Sequence, residues 1–277
     1  MRKTDLPPQP NLDQLVNEFL INGFVVLEDV IPLELIDQMH ANIKPMMDRI
    51  EAWNDMQLRG DRATGQGRVT QKQRFKIYPP FNGPFCDPAL TENPLVLKLL
   101  ERLWDTDDFH IESYSSNCPA PGAQFQNWHR DGLLFATNFA MPVYPILSFK
   151  FPLVDTNERN GSTGVIPCTH HCSIPELNHV PGSETAQDLN TIIESGRFPS
   201  KMRVNLKRGS GWLIDPRVIH RGTANTADHT RIELGVDYNQ SWMGGHDRDA
   251  VPELTQLQFD ALSDRGKRLL RHCTIIK

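Results

Sequence analysis

Apolar residues recur at helical spacing in three stretches of the first hundred residues and at strand spacing through much of the chain beyond them. Leu12, Leu15, Val16, Phe19 and Leu20 fall on one stripe of a helix that Asn11 can cap and Asn22-Gly23 can stop. Phe24–Leu27 is a short apolar run of strand type. From Pro32 a second helix carries Leu35, Ile36, Met39 and Ile43 on one face, and Pro45 is expected to kink or end it. A third helix is capped by Asn93, opens on Pro94 and buries Val96, Leu99, Leu100 and Leu103. Between the second and third, residues 54–74 are rich in Gly, Arg, Lys and Gln with few apolar anchors, the texture of a mobile surface loop that could act as a lid.

After residue 108 the helical period fades. Short strand-like runs occur at His110–Ser115, Ile146–Val154, Gly164–Ile166, Met202–Leu206, Gly211–Ile214 and Arg231–Tyr238, separated by turn clusters. Helices first and strands later predict one α+β domain over 1–277. Its parts are a mainly helical stretch over 1–108, a core over 109–240 and a C-terminal extension over 241–277. The core is expected to be a double-stranded β-helix (a cupin-like jelly roll) with the N-terminal helices packed on one sheet.

Composition narrows the function. The net charge of −5 is spread along the chain without a basic run, which argues against nucleic acid as partner. The N-terminus lacks the apolar core of a signal peptide. The most apolar stretch, Phe139–Val154, is interrupted by prolines and Lys150, reads as buried sheet, and is too short to span a bilayer. These features predict a soluble, cytoplasmic protein without a membrane partner. Five cysteines, an odd and scattered set, suggest reduced thiols. Cys168-Thr-His-His-Cys172 resembles half a zinc cluster, but no second Cys/His pair of suitable spacing accompanies it.

The chemistry concentrates in Asn127-Trp-His-Arg-Asp-Gly132 and Gly209–Asn225. On an extended strand alternate side chains share a face, so His129 and Asp131 can reach one metal from adjacent corners. A lone H-x-D is weak. His220, placed after the Asp215-Pro216 turn, supplies the third donor of a two-His, one-carboxylate facial set, which leaves positions on an iron open. Trp128 points away from that face into the core. Arg231, eleven residues after His220, can return along the next strand, and its planar fork suits the distal carboxylate of 2-oxoglutarate.

These segments resemble the phytanoyl-CoA dioxygenase-like family of Fe(II)/2-oxoglutarate oxygenases over nearly the whole chain. Phe19–Val26 leading into Ile31–Leu35, the Trp128–Gly132 motif, Asp155–Gly161 followed by Val165–His170, and His220–Asn225 with Arg231 match in the family's order. The resemblance implies Fe(II) on His129, Asp131 and His220, with 2-oxoglutarate as cosubstrate, O2 as oxidant and a small organic substrate. Asn127 stands where some relatives have a Gln that contacts the cosubstrate. Lys150 falls near a position where an aromatic residue often lines the cosubstrate pocket, and its own direction is open, since Phe149 and Phe151 flank it on either side. Cys168 stands where the family often has Gly. The carboxylate of Asp131, which related halogenases replace with a small residue, favours hydroxylation. Arg59, Arg62, Arg68, Lys72 and Arg74 in the 54–74 loop suggest an acidic substrate. Two alternatives remain open at this level: a cupin-like dioxygenase without cosubstrate, and a ligand-binding module with no activity.

Overall fold

The computed structural model describes residues 11–50, 59–61, 65–131, 143–172, 189–198, 200–243 and 251–276. Among them the helices are α1 (Leu12–Asn22), α2 (Leu33–Ile50), α3 (Pro88–Thr91), α4 (Pro94–Trp104), α5 (Leu189–Glu194), α6 (Gln256–Asp260) and α7 (Asp264–Leu269). The strands are β1 (Phe24–Leu27), β2 (Arg59–Asp61), β3 (Gly65–Gln71), β4 (Arg74–Tyr78), β5 (Phe109–Pro119), β6 (Ile146–Pro152), β7 (Thr163–Ile166), β8 (Met202–Val204), β9 (Gly211–Ile214), β10 (Ile219–Arg221), β11 (Glu233–Gln240), β12 (Glu253–Thr255) and β13 (Thr274–Ile276). The fold is mixed α/β.

Two antiparallel sheets organise it: a large one in the order β1-β9-β6-β11-β5-β4-β3-β2 and a small one in the order β10-β7-β8. A bridge between His129 and His220 extends the small sheet at its β10 edge. Alternation decides what each face of the large sheet does. Leu147, Phe149 and Phe151 of β6 and Leu234, Val236 and Tyr238 of β11 enter one core with Phe19, Ile36, Met39, Ile43, Leu99 and Leu100 from the helices. Each such burial contributes about 1.5–3 kcal/mol, which fixes the helices on this face. The opposite face turns toward the small sheet. One end of the gap between the sheets is sealed by Phe24, Val165, Trp212, Ile214 and Val218. The outer face of the small sheet is covered by Ile192 and Ile193 of α5, packed with Trp128, Ile166 and Ile219.

The predicted caps are present. The side chain of Asn11 accepts from Asp13 N, Gly23 closes α1 at φ 81°, and the side chain of Asn93 accepts from Leu95 N and Val96 N. Of the two outcomes expected at Pro45, ending the helix is not the one seen: the helix runs on to Ile50, and Met46 and Met47 extend its buried stripe and offset the amide hydrogen bond lost at the proline. One expectation is corrected. The stretch 54–74 is not a surface loop over its described residues: 65–71 and 74–78 are strands, with β3 paired to β2 and β4 and β4 to β5. Backbone ladder bonds need no apolar side chains, and Phe75 and Ile77 anchor the hairpin in the core. Residues 54–58 and 62–64, Arg62 included, lie outside the described residues.

Candidate metal and cosubstrate site

His129 and His220 are carried on facing segments that exchange both backbone hydrogen bonds, each N–H to the other's C=O at 3.0 Å. Their rings lie 4.5 Å apart, centre to centre. The N–H of Asp131 donates to Pro216 O at 2.9 Å, which ties the carboxylate to the turn before β10. That turn is fixed in its own right: buried Asp215 takes a fork from Arg217, Nε to Oδ1 at 3.0 Å and Nη2 to Oδ2 at 2.6 Å.

The ring nitrogens settle what the histidines can do. Nδ1 of His129 lies 2.8 Å from Asn127 O, and Nδ1 of His220 lies 2.8 Å from Val218 O. A carbonyl only accepts, so both protons sit on Nδ1 and both Nε2 lone pairs are free. Those Nε2 atoms face one carboxylate, His220 at 3.2 Å and His129 at 3.7 Å from Asp131 oxygens. All three donor atoms lie within 4.8 Å of one another. Adjacent ligands at usual bond lengths to one metal stand roughly 3 Å apart, so the donor set fits a divalent ion. The electrostatics agree. Burial, then the neighbouring His220, lowers the pKa of His129 and keeps it neutral as a ligand must be. Burial would raise the carboxyl of Asp131, but the neighbouring His220, then Lys150 and His129, hold it well below the carboxylate range. Its open surface faces the cavity.

That cavity, about 400 Å³, lies between the sheets and is lined by the triad and by Arg74, Lys150, Arg231 and Glu233 among others. The direction of Lys150 is thereby fixed: Phe149 and Phe151 go to the helix side and Lys150 to the cavity, its Nζ 5.8 Å from the Trp212 ring centre. Arg231 is 2% exposed. Its Nη1 donates to Glu233 Oε2 at 2.7 Å, while its Nε is buried without a partner. Trp212 Nε1 holds the other Glu233 oxygen at 3.3 Å.

Arg74 was not anticipated as a site residue. It is 5% exposed, its Nε donates to Gln124 O at 3.0 Å, and its Nη2 donates to Gln124 O and Thr223 O. Burial, then the charge of Arg231, lowers its pKa to about 10. The alternation Arg74-Phe-Lys-Ile-Tyr78 carried the signal for an inward-facing cation on a strand. Asn127 is a correction. It is exposed and serves the site through its backbone carbonyl, whereas the amide that lines the cavity is that of Gln126, whose Oε1 accepts from Gly222 N at 3.0 Å. A Cβ on Gly222 would stand 2.3 Å from that Oε1 and 2.6 Å from Arg74 Nη1. In the Cys168–Cys172 segment, His170 is buried with Nε2 3.2 Å from Leu20 O, and Cys168 is exposed at φ 65°.

The chain belongs to the phytanoyl-CoA dioxygenase (PhyH) family, whose sequence profile matches residues 19–232. Membership implies Fe(II), 2-oxoglutarate and O2, and the His129–Asp131–His220 donor set fits the metal. Among curated proteins it is similar to the multifunctional dioxygenase ausE of Penicillium brasilianum, 22% identical over 227 residues, which covers 79% of this chain and 69% of that one. Among solved structures, its fold is similar to the non-heme alpha ketoglutarate dependent epimerase SnoN from nogalamycin biosynthesis, with a TM-score of 0.59, 16% identity and 83% of each chain covered. The carbocyclase SnoK from the same biosynthesis gives a TM-score of 0.59 at 16% identity over 85% of each chain. No helix among the described residues is long and apolar enough to cross a membrane.

Proposed function

We propose that the protein is an Fe(II)- and 2-oxoglutarate-dependent oxygenase that hydroxylates a small organic substrate, on a single double-stranded β-helix domain. The observation that carries this is the pair of tautomer-locked histidines and Asp131 opening onto the same cavity as a buried, incompletely paired Arg231. In this reading His129 Nε2, Asp131 and His220 Nε2 hold the iron. The iron, with bound keto acid and O2, supplies the oxidising chemistry when loaded, at the expense of decarboxylating 2-oxoglutarate to succinate. Arg231 takes the distal carboxylate of the cosubstrate. The charge balance supports this assignment: Arg74 and Arg231 repel each other in a buried setting and Glu233 pairs only with Arg231, so one further carboxylate relieves that repulsion. Lys150, which lines the cavity and acts on both Asp131 and His129, adds a second cation toward the keto acid. Residues 65–78 serve as a wall of this chamber, with Thr70, Arg74 and Lys76 in its lining.

The names of two fold neighbours, an epimerase and a carbocyclase, define the competing outcome: oxidation without oxygen insertion. The test has two stages. Iron content and the absorbance of the iron–keto acid complex under anaerobic conditions are measured for wild type and for His129→Ala, Asp131→Ala and His220→Ala, each of which should lose iron while keeping the fold. Turnover under ¹⁸O2 then yields one succinate and one labelled oxygen in the product. A triad variant with near-native iron and activity sinks the metal assignment. Succinate without label in the product leaves the oxygenase and overturns hydroxylation.

A further inference from the structure

Beyond the triad and the arginines, the cavity is lined by a carboxylate, Asp237, that the proposed reaction does not use. On the inner face of β11 the side chains run Glu233, Gly235, Asp237. Glu233 belongs to Arg231, at the end assigned to the cosubstrate. Asp237 lies four residues on, roughly 13 Å along the strand. Between them Gly235 faces Lys150 across the ladder, and a Cβ there would meet Lys150 Cγ at 3.5 Å, so the lysine stem lies over the strand at its midpoint. Glu233 and Asp237 thus stand toward two ends of one cavity with Lys150 between them, and Ser148 and Ile146 line it beside Asp237.

Asp237 is a built feature. Its two cross-strand partners are Ser113 on β5 and Ser148 on β6. Each donates its hydroxyl to a different oxygen of the carboxylate, Ser113 to Oδ2 and Ser148 to Oδ1. Three strands thus align a Ser–Asp–Ser row across the sheet. Among the described residues no cation pairs with Asp237, and its half-open side chain faces the cavity. One step further on the same face, Asn239 is 0% exposed, and neither its Oδ1 nor its Nδ2 has a hydrogen-bond partner. The Asp237 carboxylate keeps acceptor lone pairs beyond those the two serines occupy, and they open on the cavity.

We infer that Asp237, held by Ser113 and Ser148, anchors the primary substrate, and that this substrate is a neutral, hydroxyl-bearing molecule that donates an O–H to the Asp237 carboxylate. Charge decides the class. Lys150 and Asp237 line the same cavity with opposite signs, so an acid meets Asp237 and an amine meets Lys150. A neutral alcohol meets neither penalty and satisfies the free acceptor lone pairs. The expectation of an acidic substrate rested on arginines in a loop, but Arg74 of that stretch is buried and turned to the cosubstrate end. This inference rests on the oxygenase reading, because it places the substrate at the end of the cavity that the cosubstrate leaves free.

The test uses the iron-loaded protein with 2-oxoglutarate under anaerobic conditions, where substrate binding perturbs the iron–keto acid absorbance without turnover. The probes are polyols, glycosides and terpenoid alcohols, each with its carboxylic acid, primary amine and deoxy counterpart. Alcohols are expected to give the response. For a responding alcohol, Asp237→Asn should weaken binding about ten- to a hundredfold, and Ser148→Ala by a smaller factor in the same direction. The deoxy analogue should bind wild type and Asp237→Asn alike, a coincidence that a purely structural role for the carboxylate would not produce. Iron content and affinity for 2-oxoglutarate should keep their wild-type values in both variants. Acids or amines that bind in place of alcohols overturn the inference. So does an alcohol whose affinity ignores Asp237→Asn, or silence of the whole alcohol arm while 2-oxoglutarate binds. Failure of 2-oxoglutarate to bind wild type is a different result, since it removes the oxygenase reading itself.

Discussion

Replacing Arg231 by lysine keeps the charge and removes the fork. The wild-type guanidinium gives Nη1 to Glu233 at 2.7 Å, is 2% exposed and leaves its Nε without a partner. A lysine is a point donor: it can hold Glu233 or reach for a cosubstrate carboxylate, but it cannot present two parallel hydrogen bonds to the latter. Breaking a buried charged pair by losing one partner costs about 3–5 kcal/mol. Assigned to the cosubstrate, a loss of that order weakens 2-oxoglutarate binding by roughly a hundredfold or more. Part of the loss falls on the fold, because Glu233 is itself 5% exposed and depends on Arg231. A second variant separates the two effects. Arg231→Met combined with Glu233→Met removes both buried charges, so its stability should return to within about 1–2 kcal/mol of wild type. Its affinity for 2-oxoglutarate should stay at least as low as that of Arg231→Lys. The assays are thermal unfolding of the metal-free protein and a 2-oxoglutarate titration, with iron saturating, read by the iron–keto acid absorbance. An Arg231→Lys protein that binds 2-oxoglutarate as tightly as wild type would refute the assignment. Arg231 would then serve the fold through Glu233 alone, and a dioxygenase without cosubstrate would move ahead.

Three further outcomes are expected. Burial, then the charge of His171, lowers the pKa of His170 from 6.5 to about 4, so the unfolded chain takes up that proton first. The stability it contributes is complete above about pH 6.5 and is lost as pH falls toward 4, by on the order of 2 kcal/mol after solvent screening; thermal unfolding at both ends, with His170→Gln flattening the difference, checks this. Cys168→Gly should raise stability by up to about 1 kcal/mol, because the left-handed φ of 65° strains a side chain, and an unchanged or lower melting temperature would count against that strain. Gly222→Ala should raise the KM for 2-oxoglutarate about ten- to a hundredfold at unchanged iron content, since its Cβ displaces Arg74 Nη1 and Gln126 Oε1; an unaltered KM would place Arg74 away from the cosubstrate.

A feature is legible in the sequence when its signal is local. Helices α1 and α4 carry apolar stripe and cap within a dozen residues, and both are found with the expected Asn caps. The candidate metal donors could be nominated because His129 and Asp131 are neighbours and His220 lies in a recognisable Gly–Trp–Asp-Pro–His frame. The strands β2 and β3 are hard to see because they are held by backbone pairing and need few apolar side chains. Gln126 rather than Asn127 lines the cavity because only His129 of that segment is bridged, so the two-residue alternation counted back from His129 lapses before it reaches either amide. The Ser113–Asp237–Ser148 row depends on the register of three strands separated by up to 124 positions, and no local pattern encodes it.

The two faces of β11 show how such a cavity can be carried by the fold. Leu234, Val236 and Tyr238 are each 0% exposed against the helices, and their burial contributes roughly 1.5–3 kcal/mol apiece. That contribution is independent of what the other face presents, because alternation keeps the two sets of side chains on opposite sides of one backbone. Glu233, Gly235 and Asp237 therefore project into the cavity from a strand whose position is already fixed by its neighbours and its apolar face. A change at 235 or 237 alters the shape or charge of the chamber without repacking the helical core. A change at 234 or 236 does the reverse. Chemistry on the inner face is thus free to differ between proteins that share this sheet order, and the His129–Asp131–His220 donor set, carried by β10 and the segment bridged to it, need not move when it does.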